Sequence, residues 1–412
     1  MYTKITECLA CGNEHLVPVL DLGDQPLANS YTPEQKQDLP EYELKINRCT
    51  ECYHVQLSVA VDPELMFKDY LYVSGTSKTM RDHFKWFASF ATEYLTSTLG
   101  GEYTDINTKV LDIGCNDGSQ LDAFKAIDCD TVGVDPAENL YALSSANHEV
   151  SCGYFNEEYV NAYVRLDRRP VIIAAQNVFA HNYDPVSFMD NVANMMKTDS
   201  LFFIQTSQAN MILNNEFDTI YHEHISFYNI KSMKMLCERA GLNLIDVVKT
   251  PLHGTSYIFV ISSSINRDNH IDNLIAMEEL SGLYSESTYE EYRNKCISLT
   301  RNLEREIESK KSLGYTVIGY GAAAKGNTLL NFSKIQMDYI IDDNPLKHNQ
   351  YTPGSAIKIV SVDILADYSS SDKILFVPLA WNFFKEIKSN ILKKRDNQND
   401  KFLTYFPTVE YR

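Results

Sequence analysis

No stretch of this chain reaches the ~18 consecutive apolar residues that a membrane-spanning helix needs. Its first residues, MYTKITECLACG, have no apolar core of the kind a secretory leader carries. A cytoplasmic protein without a membrane partner is therefore expected. Basic charge is scarce as well: the net charge is -18 and the longest basic run is the KKR of Lys393–Arg395. A nucleic-acid surface needs basic patches, so no nucleic-acid partner is expected, and the short run reads as a solvated helix end. A disulfide framework is missing too. The nine cysteines are an odd number scattered along a long chain, which favours thiol or metal use. What is present is length and core material. With 412 residues and 44% hydrophobic content, two or three domains are expected.

Four of the cysteines come in two C-x-x-C pairs, Cys8 with Cys11 and Cys49 with Cys52. Two such pairs can supply the four thiolates of a tetrahedral structural zinc site, with Gly12 easing the first knuckle. The gap between the pairs is long, so the intervening chain, including VLDLGDQPLANSY, must fold as its own small unit. Redox use of the pairs is the alternative; duplicated pairs near one end favour metal. With four sulfurs closing the site, the zinc holds structure and activates no water.

The run TKVLDIGCNDGSQLDAF, from Thr108, reads as strand, glycine turn and helix, the first unit of a doubly wound α/β sheet. Gly114 and Gly118 let backbone approach a ligand. The next strand, DTVGVDP, ends in Asp135, placed to take two ribose hydroxyls. A dinucleotide would want G-x-G-x-x-G, with its pyrophosphate on the helix N-terminus. Here the loop is G-C-N-D-G, and Asp117 would repel a pyrophosphate. Asp112, Gly114, Asn116, Asp117 and Gly118 suit a cationic ligand with an amino-acid tail instead: S-adenosylmethionine (SAM). The pattern resembles that of class I methyltransferases. PVIIAAQNVFAH then reads as the buried fourth strand, with Gln176, Asn177 and His181 at its ligand-facing end. SLFFIQTSQ reads as the fifth, and a last pair surrounds LIDVVKTPLHGTSYIFVIS.

YHEHISFYN, from Tyr221, follows the fifth strand and so overhangs the face where the SAM methyl points. Its histidines, His222 and His224, do not form H-E-x-x-H, so a metal would need ligands from elsewhere. A polar loop without chemistry is a second reading. Proton transfer is favoured, because a neutral histidine is a good base near neutral pH and a carboxylate such as Glu223 can orient it. Further on, LSGLYSES through KKSLG reads as connecting helices. GYTVIGYGAAAKGNTLLNF repeats strand, glycine loop and helix, where Lys325 could meet phosphate.

CLACGN, LDLGDQPLANSY, CTECYHVQL, YLYVSGTSKTMRDHF, LDIGCNDG, NVFAH, FDTIYHEHISFY and GYGAAAKGNTLLNF stand in this order. They resemble the SAM-dependent sugar C-methyltransferases that build branched-chain deoxysugars, such as enzymes methylating C3 of a nucleotide-linked 4-keto-6-deoxyhexose. The resemblance covers nearly the whole chain. It implies a zinc-binding domain (1–65), a class I methyltransferase Rossmann-like domain with leading helices (66–265), connecting helices (266–310) and a second Rossmann-like domain (311–412). By motif matching, His224 is implied as the base and Glu223 as its orienting partner. Tyr221, His181 and one tyrosine of YLYVSG, Tyr72 by preference, are implied as further groups of the site. Lys325 and His253 are assigned to a nucleotide-diphosphate keto-deoxysugar. The family often has H-G-G-S followed by L-R, whereas HGTSYI places Ile258 at the arginine. A monomer or weak dimer is expected. O- or N-methylation of a sugar, and a silent carbohydrate-binding relative, are the alternatives.

Overall fold

The computed structural model describes residues 2–36, 38–68, 70, 72–100, 108–166, 168–206, 210–250 and 256–412. Its largest element is a seven-stranded sheet. The order is Asn243–Thr250, Ser256–Ser262, Leu201–Thr206, Ile172–Gln176, Lys109–Ile113, Asp130–Asp135, Glu149–Cys152. The last five strands of that order are parallel, and Ser256–Ser262 runs antiparallel to both of its neighbours. Successive strand residues face opposite sides, so both faces need apolar cover. Val110, Ile172 and Phe203 point to one face, which the helix Lys78–Leu99 covers with Phe87, Ala91 and Leu95. Leu111, Ile173 and Phe202 point to the other, against Met189, Val192, Met233 and Leu236. The strand order reverses beside Lys109–Ile113. Ligands of such sheets sit in the crevice this opens at the carboxyl ends.

The C-terminal part carries a second sheet, ordered Ile359–Val360, Tyr339–Ile341, Thr316–Tyr320, Ile374–Pro378, Lys401–Thr404, Glu410–Tyr411. Its first five strands are parallel. The helices Asp268–Leu280 and Glu286–Ser312 lead into it. The fold class is therefore the expected α/β, with two Rossmann-like sheets.

The N-terminal sheet is antiparallel, ordered Leu16–Pro26, Glu41–Cys49, Val55–Leu57 and Ser226–Phe227. Its fourth strand comes from the residues just after YHEH. One core then runs from Leu44 and Ile46 through Ile220, Ile225 and Phe227 to Leu329 and Leu375. The three parts are packed on one another around the 217–227 segment. Among the described residues, no helix is long and apolar enough to cross a membrane.

Candidate functional site

The four cysteines of the paired motifs meet. All four Sγ atoms lie within 4.8 Å of one another. Cys8 Sγ is 3.5 Å from Cys52 Sγ, and Cys11 Sγ is 3.6 Å from Cys49 Sγ. A zinc tetrahedron with Zn–S near 2.3 Å has sulfur–sulfur edges of about 3.8 Å, so the set fits that ion. The thiols are free rather than bridged. Backbone amides of Cys11 and Glu51 point at Cys8 Sγ (3.5 Å) and Cys49 Sγ (3.4 Å), which suits thiolate ligands. Asn229, just beyond YHEH, donates to the carbonyl of Cys52 at 3.0 Å.

The glycine loop sits at the crevice. Gly114 has φ +73°, and a Cβ there would stand 2.3 Å from a Val178 methyl, so only glycine fits. Asp135 closes the loop: its carboxylate accepts from the Asn116 amide (2.8 Å) and the Ala137 amide (2.8 Å). Two of its roughly four lone-pair positions are then used, leaving capacity for a ribose diol. Asp117 accepts from the amides of Gly75 (2.9 Å) and Ser119 (3.2 Å). Asn116 accepts from the Ser74 amide (2.9 Å) and donates to the Tyr72 carbonyl (3.0 Å). Asp112 is buried beside Asp135, and burial holds its carboxyl well above the usual range while Gln120 donates to it at 2.7 Å. Gln176 and Asn177 lie at the end of the neighbouring strand, Asn177 at φ +57°. Gln176 engages His83, which also meets Gln205. These residues fit SAM. Asp135→Ala removes a charge-assisted acceptor worth roughly 1.5–3 kcal/mol, so calorimetry should show SAM affinity down at least about tenfold. Unchanged affinity would mean that Asp135 is only a loop clip.

YHEH forms a tight turn. The His224 amide donates to the Tyr221 carbonyl at 2.9 Å, an i to i+3 bond that brings residues 221 and 224 together. The Tyr221 hydroxyl lies 2.7 Å from His224 Nε2. His224 Nδ1 lies 3.0 Å from the Thr219 carbonyl, which can only accept. The Nδ1 therefore carries the proton, and in the neutral ring Nε2 is the lone pair that accepts from Tyr221. His181 stacks between Phe67 and His224, each 5.3 Å away, and burial pulls its pKa down to about 4. It is neutral at pH 7.

The middle residues of the turn point elsewhere, and this corrects one reading. Glu223 does not orient His224. Its oxygens accept from Asn29 (2.6 Å) and Tyr70 (3.2 Å), and burial raises its pKa to about 7. Turn positions i+2 and i+3 diverge, so adjacency in sequence is not contact. His222 donates to the Tyr42 carbonyl at 3.2 Å, so the two histidines do not face one ion. Among the described residues, the cysteines form the one cluster able to hold a metal.

Both tyrosines of YLYVSG come near the turn: the Tyr70 hydroxyl donates to Glu223, and the Tyr72 phenol acts electrostatically on Tyr221. Tyr72 is 47% exposed, with its ring 6.4 Å from that of Tyr70. Lys325 lies over the Trp381 ring at 5.0 Å, and its charge acts on the buried Asp218. Trp381 donates to Asp218 at 2.8 Å. His253 lies outside the described residues. Ile258 is buried in the strand Ser256–Ser262. Asn29 and His83 escape sequence reasoning, and Tyr70 is the other tyrosine of the quoted YLYVSG. The segment LANSY is a quoted match, but nothing local marks its asparagine.

Three family models match successive parts of the chain. Residues 8–67 match a zinc-binding domain, so described by inference; residues 85–247 match a methyltransferase domain; residues 251–407 match a C-methyltransferase C-terminal domain. The C-methyltransferase NovU of Streptomyces niveus is 28% identical over 398 residues, covering 94% of this chain and 92% of that protein. Among solved structures, an S-adenosylmethionine-dependent methyltransferase from Clostridium acetobutylicum overlaps 43% of this chain and 90% of its own, at 13% identity and TM-score 0.34. The magnesium protoporphyrin IX methyltransferase of Synechocystis, with bound SAH, overlaps 45% and 87%, at 10% identity and TM-score 0.34.

Proposed function

We propose that this SAM-dependent C-methyltransferase, a relative of NovU, methylates the carbon alpha to the ketone, at C3, of a nucleotide-linked 4-keto-6-deoxy sugar. An enolate formed by His224 is the nucleophile. One observation carries the reading: the Thr219 carbonyl holds the Nδ1 proton of His224, which leaves Nε2 basic beside the Tyr221 hydroxyl.

Carbon is a poor nucleophile until a neighbouring carbonyl acidifies its hydrogen. His224 Nε2 takes that hydrogen as a proton. The C–H electron pair moves into the enolate, and its oxygen gains charge. Tyr221 first leaves Nε2, which frees the lone pair that takes the proton, and donates to that oxygen. Bound SAM supplies a methyl group on a sulfonium. Transfer to carbon would break the sulfur–methyl bond, leave its electron pair on sulfur and remove both charges, so a water-poor site favours it. Neutral His181 and Phe67 wall the ring of His224 on one side. Asp135 and the 114–118 loop hold the nucleoside end, and Lys325 and His253 are assigned to the sugar nucleotide.

Incubating the protein with SAM and a panel of dTDP-, GDP- and CDP-linked 4-keto sugars tests this. One member should gain a single methyl by mass, and NMR should place it on C3. Methyl on oxygen or nitrogen, or no product from any member, would overturn the substrate assignment.

A further inference from the structure

Glu223 is held by groups far from it in the chain. Asn29 donates to one oxygen from the N-terminal part, and Tyr70 donates to the other. The segment around Asn29 is in turn pinned by the C-terminal glycine loop. The Asn327 amide donates to the Ala28 carbonyl at 2.6 Å, and the Tyr31 hydroxyl donates to the Ala322 carbonyl at 2.6 Å. Lys347 donates to the same carbonyl at 2.7 Å and lies over the Tyr31 ring at 5.1 Å. The two bonds from the glycine-loop unit thus flank Asn29 on either side in sequence. Asn327 is 1% exposed, so its bond is made without competition from water.

We propose that Asn29 is a positioning residue for Glu223, and that the C-terminal glycine loop clamps the segment that carries it. The inference rests on the reading of YHEH as the active site. An amide N–H aimed at a carboxylate favours its charged form, as does the Tyr70 hydroxyl, whereas burial opposes it. His222 and His224 flank it in sequence but face the Tyr42 carbonyl and Tyr221. Among the described residues, Asn29 and Tyr70 are the two donors on it. Losing one should favour the protonated acid.

The test is a carboxyl infrared titration of the full chain, with Glu223→Gln identifying the band. Asn29→Ala should move the midpoint up by about one pH unit, and Asn29→Asp further, because two carboxylates then share one site. Asn327→Ala and Tyr31→Phe should move it the same way by less, with SAM affinity unchanged. Tyr31→Phe is nearly isosteric, so it reports even where Asn327→Ala fails to fold. A midpoint unmoved in Asn29→Ala overturns the role of Asn29. A midpoint moved there but unmoved in Tyr31→Phe overturns the clamp. The band is read without turnover, so failure to methylate any sugar nucleotide would sink the functional reading and leave this one decided on its own.

Discussion

His224→Asn should abolish methyl transfer and, with it, exchange of the substrate proton. A substrate deuterated at the carbon alpha to the ketone should lose its label to solvent with the native protein, provided the base trades its proton with water. The exchange needs no methyl to move, so it reads the base alone. An asparagine amide can still reach the Thr219 carbonyl, but it offers no basic nitrogen. The expected loss is about 10²–10⁴, the range of a general-base contribution. SAM binding should survive, because His224 lies on the turn after the fifth strand and not on the 114–118 loop. Tyr221→Phe should slow both reactions too, since the hydroxyl that meets Nε2 at 2.7 Å is gone. Glu223→Gln should slow them less, for its oxygens meet Asn29 and Tyr70 and not the imidazole. Near-normal turnover in His224→Asn would move the base elsewhere, with His181 or Tyr221 next in line.

The contrast between Asp135 and Glu223 shows what sequence carries. The place of Asp135, at a strand end beside the glycine loop, was legible because a strand, a glycine turn and a helix repeat at fixed spacing. The cysteine pairs were legible for a similar reason: C-x-x-C is a local geometry that presets two sulfurs. Glu223 was not. Its direction depends on a four-residue turn whose i to i+3 bond joins Tyr221 to His224 and sends the middle residues outward. Its partners, Asn29 and Tyr70, are far away in the chain and carry no periodic signature. The two-residue strand Ser226–Phe227 is likewise invisible locally. It exists because Val55 and Gln56 offer it a sheet edge. The same strand changes what zinc should do.

Cys49→Ser should cost the protein its zinc and, through the sheet, the order of the 221–224 turn. Elemental analysis should find about one zinc per native chain and far less in the variant. Structural zinc sites in small domains contribute on the order of 10 kcal/mol or more of binding free energy, so loss of one sulfur should be plainly visible in a denaturant melt. Cys49 ends the strand Glu41–Cys49, which pairs with Val55–Leu57, and that strand pairs with Ser226–Phe227. The Asn229 bond to the Cys52 carbonyl and the 3.2 Å contact of His54 with Ser226 tie the same regions together. Freed cysteine knuckles should therefore loosen the residues just after His224. Hydrogen exchange should rise first in Glu41–Cys49 and then in Ser226–Phe227. Under slow chelation, methyl transfer should decline in step with that exchange. A zinc-free protein that stays folded and equally stable would sink the structural role. Activity that vanished at once, with the N-terminal amides still protected, would instead place a metal in the chemistry itself.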